Sequence, residues 1–284
     1  MTKPKATELG DADASPQTAV SRRTFFKQAS IATGSALALG GLLGLASAQE
    51  AEQNHASTSA GITVGDQKIL IAAEIAEALA VTTYTHIVNQ APFFERLPHD
   101  DQGYLRAARQ EEMSHYLLEE SVTNQPSPFT TFFYPHKMFE DAQTTLNVLV
   151  TLEDAFIAAY LVGVRRFSTA DFKVTAARIM GIESDHRTLA RVLAGDVSTM
   201  DGGPIERITG IQGVAERADP PNNNGYERTL CWTQIAQAVQ ALLPFVDLQA
   251  AQAAGFDTTK SFAFRPFTPL LPSKLGDFVS FTGC

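Results

Sequence analysis

Cysteine is almost missing from this chain. Cys231 and Cys284 are the only two in 284 residues, which excludes a disulfide-stapled scaffold and a cysteine-rich metal cluster. Positive charge is also short. Lys and Arg number 22 against 31 Asp and Glu, a formal net charge of -9. Such a surface repels a phosphate backbone, so no nucleic-acid partner is expected. The N-terminal apolar run, Ile31 to Leu45, is Gly-rich and falls short of the roughly 20 residues that cross a bilayer. Solenoid-type repeats are missing too. What is present is an ordinary globular balance, 44% hydrophobic and 19% charged, with ample material for a buried core.

The first 48 residues read as an address. Ser21-Arg22-Arg23-Thr24-Phe25-Phe26-Lys27 is basic, the short apolar run follows, and Ala46-Ser47-Ala48 offers a small-x-small cleavage site. That order is the plan of a signal peptide. The Arg22-Arg23 pair with Phe25 and Lys27 resembles the twin-arginine translocation signal. The resemblance implies export of a folded protein to the periplasm, cell envelope or exterior, with no membrane span left after processing. Residues 49–65, rich in Ala, Ser, Gln and Glu, read as a flexible leader. In an oxidising exterior, Cys231 and Cys284 are candidates for a disulfide tying the tail to the last helix.

From Lys68 onward apolar residues recur at helical spacing. The spacing predicts a first helix over 66–89, stopped by Ala91-Pro92. A second begins beyond Pro98-His99-Asp100-Asp101 and continues to Thr123. An irregular connection through Asn124 to Pro135 follows. The third helix is predicted over 139–167. A break at Ser168 to Asp171 separates it from a fourth, which Gly195 is expected to end. Short link, long link, short link describes two antiparallel hairpins joined by a crossover between helices two and three. The fold class is therefore all-α, a four-helix bundle over 66–195 of the ferritin-like topology. Residues 196–284 form an extension with one more helix, predicted over 227–243, and an irregular Phe-rich tail.

The chemistry lies in two Glu-x-x-His pairs. The second helix holds Glu112 and His115, and the fourth holds Glu183 and His186. Residues three apart on a helix project from one face, so each pair can grip a cation with a carboxylate and an imidazole. One such pair is often accidental. Here, however, Glu77 on the first helix and Glu153 on the third complete the pattern. The midpoint between Glu77 and Glu112 falls inside the Pro92-to-Pro98 break, and that between Glu153 and Glu183 falls at Ser168. Folding each hairpin at its break sets each pair of glutamates at one height. Glu153 also lies in a stripe of Leu146, Leu149, Val150, Ile157, Tyr160 and Val164, where a carboxylate is costly unless its charge is compensated. Two divalent cations would neutralise four such carboxylates. Oxygen and imidazole donors suit iron, manganese or zinc. Glu74, one turn before Glu77, competes for the first-helix position, and Glu111 lacks a histidine at its own third position. His55, His86, His99 and His136 read as leader, surface or loop residues.

Glu on helix one, Glu-x-x-His on helix two, Glu on helix three and Glu-x-x-His on helix four resembles the ferritin-like superfamily of di-iron and di-manganese carboxylate proteins. The resemblance covers residues 66–195 and maps the ligands to Glu77, Glu112, His115, Glu153, Glu183 and His186. The seven-residue spacing from Glu77 to Tyr84 is similar to the first ferritin helix and favours Glu77 over Glu74. With its export signal and Phe-rich extension, the chain is most similar to the desiccation-related exported group. The resemblance implies two ions of iron or manganese and a redox enzyme acting on peroxide, oxygen or ferrous ion in stress protection. Tyr84, Tyr116 and Tyr160 are candidates for supporting the ligands or quenching radicals. A second expectation is a non-catalytic, metal-stabilised stress or desiccation protein. Iron storage is a third, opposed by the long segment after Gly195, which would obstruct a ferritin-type shell. A homo-oligomer is left open.

Overall fold

The computed structural model describes residues 62–200 and 230–270. The signal segment, most of the leader and Cys284 lie outside the described residues, and so does the question of a Cys231–Cys284 bond. Four long helices make the body: α1, Val64–Gln90; α2, His99–Thr123; α3, Ala142–Arg166; and α4, Ala170–Met200. Each starts or stops for a local reason. The Thr63 hydroxyl caps α1 by accepting from the Asp66 N–H at 3.0 Å, and Pro92 follows its end. Acidic Asp100 and Asp101 occupy the first turn of α2, and Asn124 closes it in the left-handed conformation at φ 55°. Asp141 caps α3 by accepting from the Thr144 N–H at 2.7 Å.

The two hairpins, α1–α2 and α3–α4, pack side by side. Buried Asp66, at the start of α1, accepts from the Ser168 N–H at 2.8 Å and so ties the first hairpin to the α3–α4 turn. The connection from α2 to α3 is the long crossover. Contrary to the expected irregular run, it holds a strand, β1, Thr131–Pro135. The extension supplies α5, Ile235–Val246; α6, Leu248–Ala253; and β2, Phe256–Ala263. The strands pair antiparallel, with Phe132 opposite Phe262 and Pro135 opposite Phe256. The fold is thus a ferritin-like helical bundle carrying two helices from its extension and a small two-stranded sheet formed between the crossover and the extension, an amendment to a purely helical expectation.

The crossover strand and the extension together help cover α1, most of whose residues are buried. Phe132, Tyr134, Phe245 and Phe256 are buried with the bundle in one continuous core. The Tyr134 hydroxyl lies 3.0 Å from the Thr83 hydroxyl of α1. His86, expected at the surface, is half-buried, its ring 4.8 Å from Phe262 and 5.2 Å from Phe139. Three boundaries also move. α3 begins at Ala142 rather than 139, because Phe139 adopts φ 69° outside the helix and Asp141 takes the cap. α4 runs through Gly195 to Met200, since one helical glycine costs only about 1 kcal/mol. α5 starts at Ile235, where Gln234 and Gln237 form a reciprocal cap. Among the described residues, α3 alone is long and apolar enough to cross a membrane, and 72% of that apolar window is buried inside the molecule.

Candidate metal centre

Each helix contributes to one buried cluster at mid-height. α1 brings Glu77, α2 brings Glu112 and His115, α3 brings Glu153, and α4 brings Glu183 and His186. The four carboxylates are no more than 2% exposed, and His186 is 5% exposed. Their donor atoms form two overlapping groups, each with all atoms within 4.8 Å of one another: Glu77, Glu112, His115 and Glu183; and Glu112, Glu153, Glu183 and His186.

Glu112 and Glu183 belong to both groups, and their orientation shows how. Glu112 turns Oε2 toward His115 Nδ1 at 3.4 Å and Oε1 toward His186 Nδ1 at 2.8 Å. Glu183 does the same, with Oε1 3.3 Å from His115 Nδ1 and Oε2 3.4 Å from His186 Nδ1. Each carboxylate therefore spans from one histidine to the other. Glu77, 3.6 Å from His115, and Glu153 lie at opposite ends.

The end carboxylates are held by tyrosines in a reciprocal way. Tyr84 of α1 donates to Glu153 Oε1 of α3 at 2.7 Å. Tyr160 of α3 donates to Glu77 Oε1 of α1. The seven-residue Glu77–Tyr84 spacing recurs as Glu153–Tyr160, a repeat that was present in the sequence as a clue to both pairs. Tyr116 stands apart from the cluster. Its hydroxyl accepts from the Ser127 N–H at 3.2 Å and its ring packs on Phe264.

Eight buried atoms then have no hydrogen-bond partner outside the cluster and meet only one another: Glu77 Oε2, both oxygens of Glu112, Glu153 Oε2, both oxygens of Glu183, and Nδ1 of His115 and His186. Orphaned polar atoms of this number are expensive in a dry core. They converge on two points, and all are oxygen or imidazole nitrogen. This donor set is compatible with a divalent metal site.

Protonation bears the same mark. Burial, together with the Glu112 and Glu183 charges, pushes the Glu77 carboxyl well above its usual range. Burial and the same neighbours push Glu153 up. For Glu112 burial works upward, but the His186 and His115 imidazoles outweigh it and hold the carboxyl well below its usual range. Burial works downward on His115 and His186, yet Glu77 and Glu112 respectively lead the carboxylates that raise them. Without cations, protons moderate the repulsion among the carboxylates.

Sequence reasoning missed the surrounding shell. Buried Glu119, seven residues after Glu112, contacts the Tyr160 hydroxyl at 2.8 Å. Half-buried Glu111 meets His186 Nε2 at 2.9 Å. Arg187 donates to Asp154 at 3.2 Å, a buried pair joining α4 to α3 beside His186 and Glu153. Glu74 is buried but belongs to neither group; Thr123 donates to it, and burial raises it to about 7. An apolar cavity of about 30 Å³, lined by Leu70, Ala73, Phe156 and Ile179 among others, reaches Glu119 and Tyr160.

A four-helix body with two bridging-capable glutamates, two end glutamates and two histidines defines a ferritin-like domain with a potential dimetal-carboxylate site. In agreement, residues 65–196 match the family model described as a ferritin-like domain, which supports placing that segment in the ferritin-like superfamily. No curated protein and no solved structure matches the chain significantly.

Proposed function

We propose that the protein is an exported dimetal oxidoreductase that uses two ions of iron or manganese against peroxide, oxygen or ferrous ion, protecting the cell envelope under stress such as desiccation. The observation that carries this reading is the set of eight buried donor atoms that face only one another, in two groups sharing Glu112 and Glu183. Glu77 and His115 would hold one ion, Glu153 and His186 the other, with Glu112 and Glu183 between them. The pair of ions, when bound, supplies two one-electron equivalents to an oxidant.

The chain's own residues do the rest. Tyr84 and Tyr160 lie too deep to ionise; burial and adjacent carboxylates raise both well above the usual phenol range. They therefore stay as donors and fix the outer oxygens of Glu153 and Glu77, leaving the inner ones directed at the cluster. Their position within hydrogen-bond reach of the ligand carboxylates would also let each act as a local electron donor, its phenolic proton passing to the carboxylate it meets. The apolar cavity beside Tyr160 and Glu119 has room for about one water-sized molecule.

A second reading, a metal-stabilised stress protein without catalysis, draws on the near-complete burial of all four carboxylates. Export rests on Arg22-Arg23 and the cleavage site at Ala46-Ser47-Ala48. Metal analysis of protein purified from its own host, followed by peroxide-consumption and ferrous-oxidation assays, separates the readings. About two ions per chain with turnover supports the enzyme. Two ions without turnover supports the stabilising role, and a chain that takes up no metal ends both.

A further inference from the structure

The two histidines differ at their outward nitrogens. His186 turns Nδ1 into the cluster, 2.8 Å from Glu112 Oε1, while its Nε2 lies 2.9 Å from Glu111 Oε2. Glu111 is at the surface, its side chain 44% exposed. His115 likewise turns Nδ1 inward. Among the described residues, though, its Nε2 has no hydrogen-bond partner, and its side chain is 12% exposed. One imidazole is thus backed by a carboxylate from the neighbouring helix, and the other is not.

We propose that Glu111 is a positioning residue for His186 that makes the two metal positions unequal. The inference rests on the dimetal reading above. A carboxylate accepting from Nε2–H fixes the proton on that nitrogen, leaves the Nδ1 lone pair facing the cluster, and makes it a better donor. It also holds the ring plane, which the Tyr84 ring braces from the side at 5.7 Å. The buried Arg187–Asp154 pair locks α4 to α3 one residue beyond His186 and Glu153. The position between Glu153 and His186 is accordingly the tighter one, and that between Glu77 and His115 is the more exchangeable.

Titrating the metal-free full chain with Mn(II), following free Mn(II) by electron paramagnetic resonance, tests this directly. Wild type takes up two ions in two resolvable steps. Glu111→Ala weakens the tighter step by about 10–100-fold and leaves the weaker step in place. Glu111→Gln, whose amide oxygen still accepts from Nε2–H, stays close to wild type. Glu95→Ala, which removes the same charge from an exposed site on the α1–α2 turn, changes neither step. Co(II) substitution adds a spectroscopic check, because Glu111→Ala should alter the visible absorption of one ion only. The proposal is overturned if Glu111→Ala titrates like wild type, if both steps weaken equally, or if Glu111→Gln is as weak as Glu111→Ala. A wild-type chain that takes up no Mn(II) overturns the dimetal reading itself.

Discussion

Replacing Glu153 by Gln should act in opposite directions on the metal-free and metal-loaded protein. In the metal-free cluster Glu153 is fully buried and raised by burial, Glu183 and Glu112. An acid whose folded pKa exceeds its unfolded value contributes stability below the unfolded value, here 4.5, and loses it as pH rises toward the folded one. Near neutral pH the ionisable carboxyl is therefore a burden. Gln imitates its neutral form and can still accept from Tyr84, so the metal-free variant should be at least as stable as wild type. Loaded with metal, the balance reverses. Ligand present at a thousand times its dissociation constant stabilises by about 4 kcal/mol per site. At about 2–4 °C per kcal/mol for a protein of this size, one site corresponds to a rise in Tm of about 8–16 °C. Differential scanning calorimetry with and without saturating Mn(II), alongside metal analysis, should show the variant losing at least one ion and about that share of the rise. A Glu153→Gln chain with both ions and the full wild-type rise would refute the assignment of Glu153 as a ligand.

Two further outcomes follow from the same geometry and two from the sequence. Glu74→Gln should keep both ions, since Glu74 belongs to neither ligand group. In metal-free protein it should also remove a fall in stability as pH rises from 4.5 to about 7, at most roughly 1.4 kcal/mol per pH unit; urea unfolding at pH 5 and 7.5 with equal pH slopes in both proteins would contradict this. Tyr160→Phe strips the phenol from Glu77 and Glu119. It should destabilise by about 1–3 kcal/mol and weaken one Mn(II) step, whereas an unchanged titration would show that Glu77 needs no such support. Changing Arg22 and Arg23 to Lys should leave unprocessed precursor in the cytoplasm, and normal mature protein beginning at Gln49 on an immunoblot with N-terminal sequencing would argue against twin-arginine export. Non-reducing mass spectrometry of exported protein should find Cys231 joined to Cys284, and two alkylatable thiols would end that idea.

Much of the fold is written in local signals. Pro92, the Asp100–Asp101 turn and the Ser168 break divide the bundle at the positions where helices end and begin in three dimensions. The six cluster residues were legible because Glu-x-x-His spacing and hairpin midpoints depend only on helix geometry and loop position. The strand Thr131–Pro135 was not legible, since its partner Phe256–Ala263 lies far along the chain and neither strand stands alone. His86 was misplaced for the same reason: the rings that half-bury it come from the crossover and the extension.

The sequence by itself determined which side chains could meet at one height of a four-helix bundle, because i to i+3 spacing and turn chemistry act over a few residues. It also determined that their charges need compensation, since the stripe around Glu153 is apolar. Only the tertiary structure decided who supports whom. Tyr160 reaches Glu77 across 83 residues of chain, and Glu111 reaches His186 across 75. No periodicity encodes such pairs. They exist because packing α1 on α3 and α2 on α4 in one particular register brings buried donors and acceptors from distant parts of the chain within reach of one another.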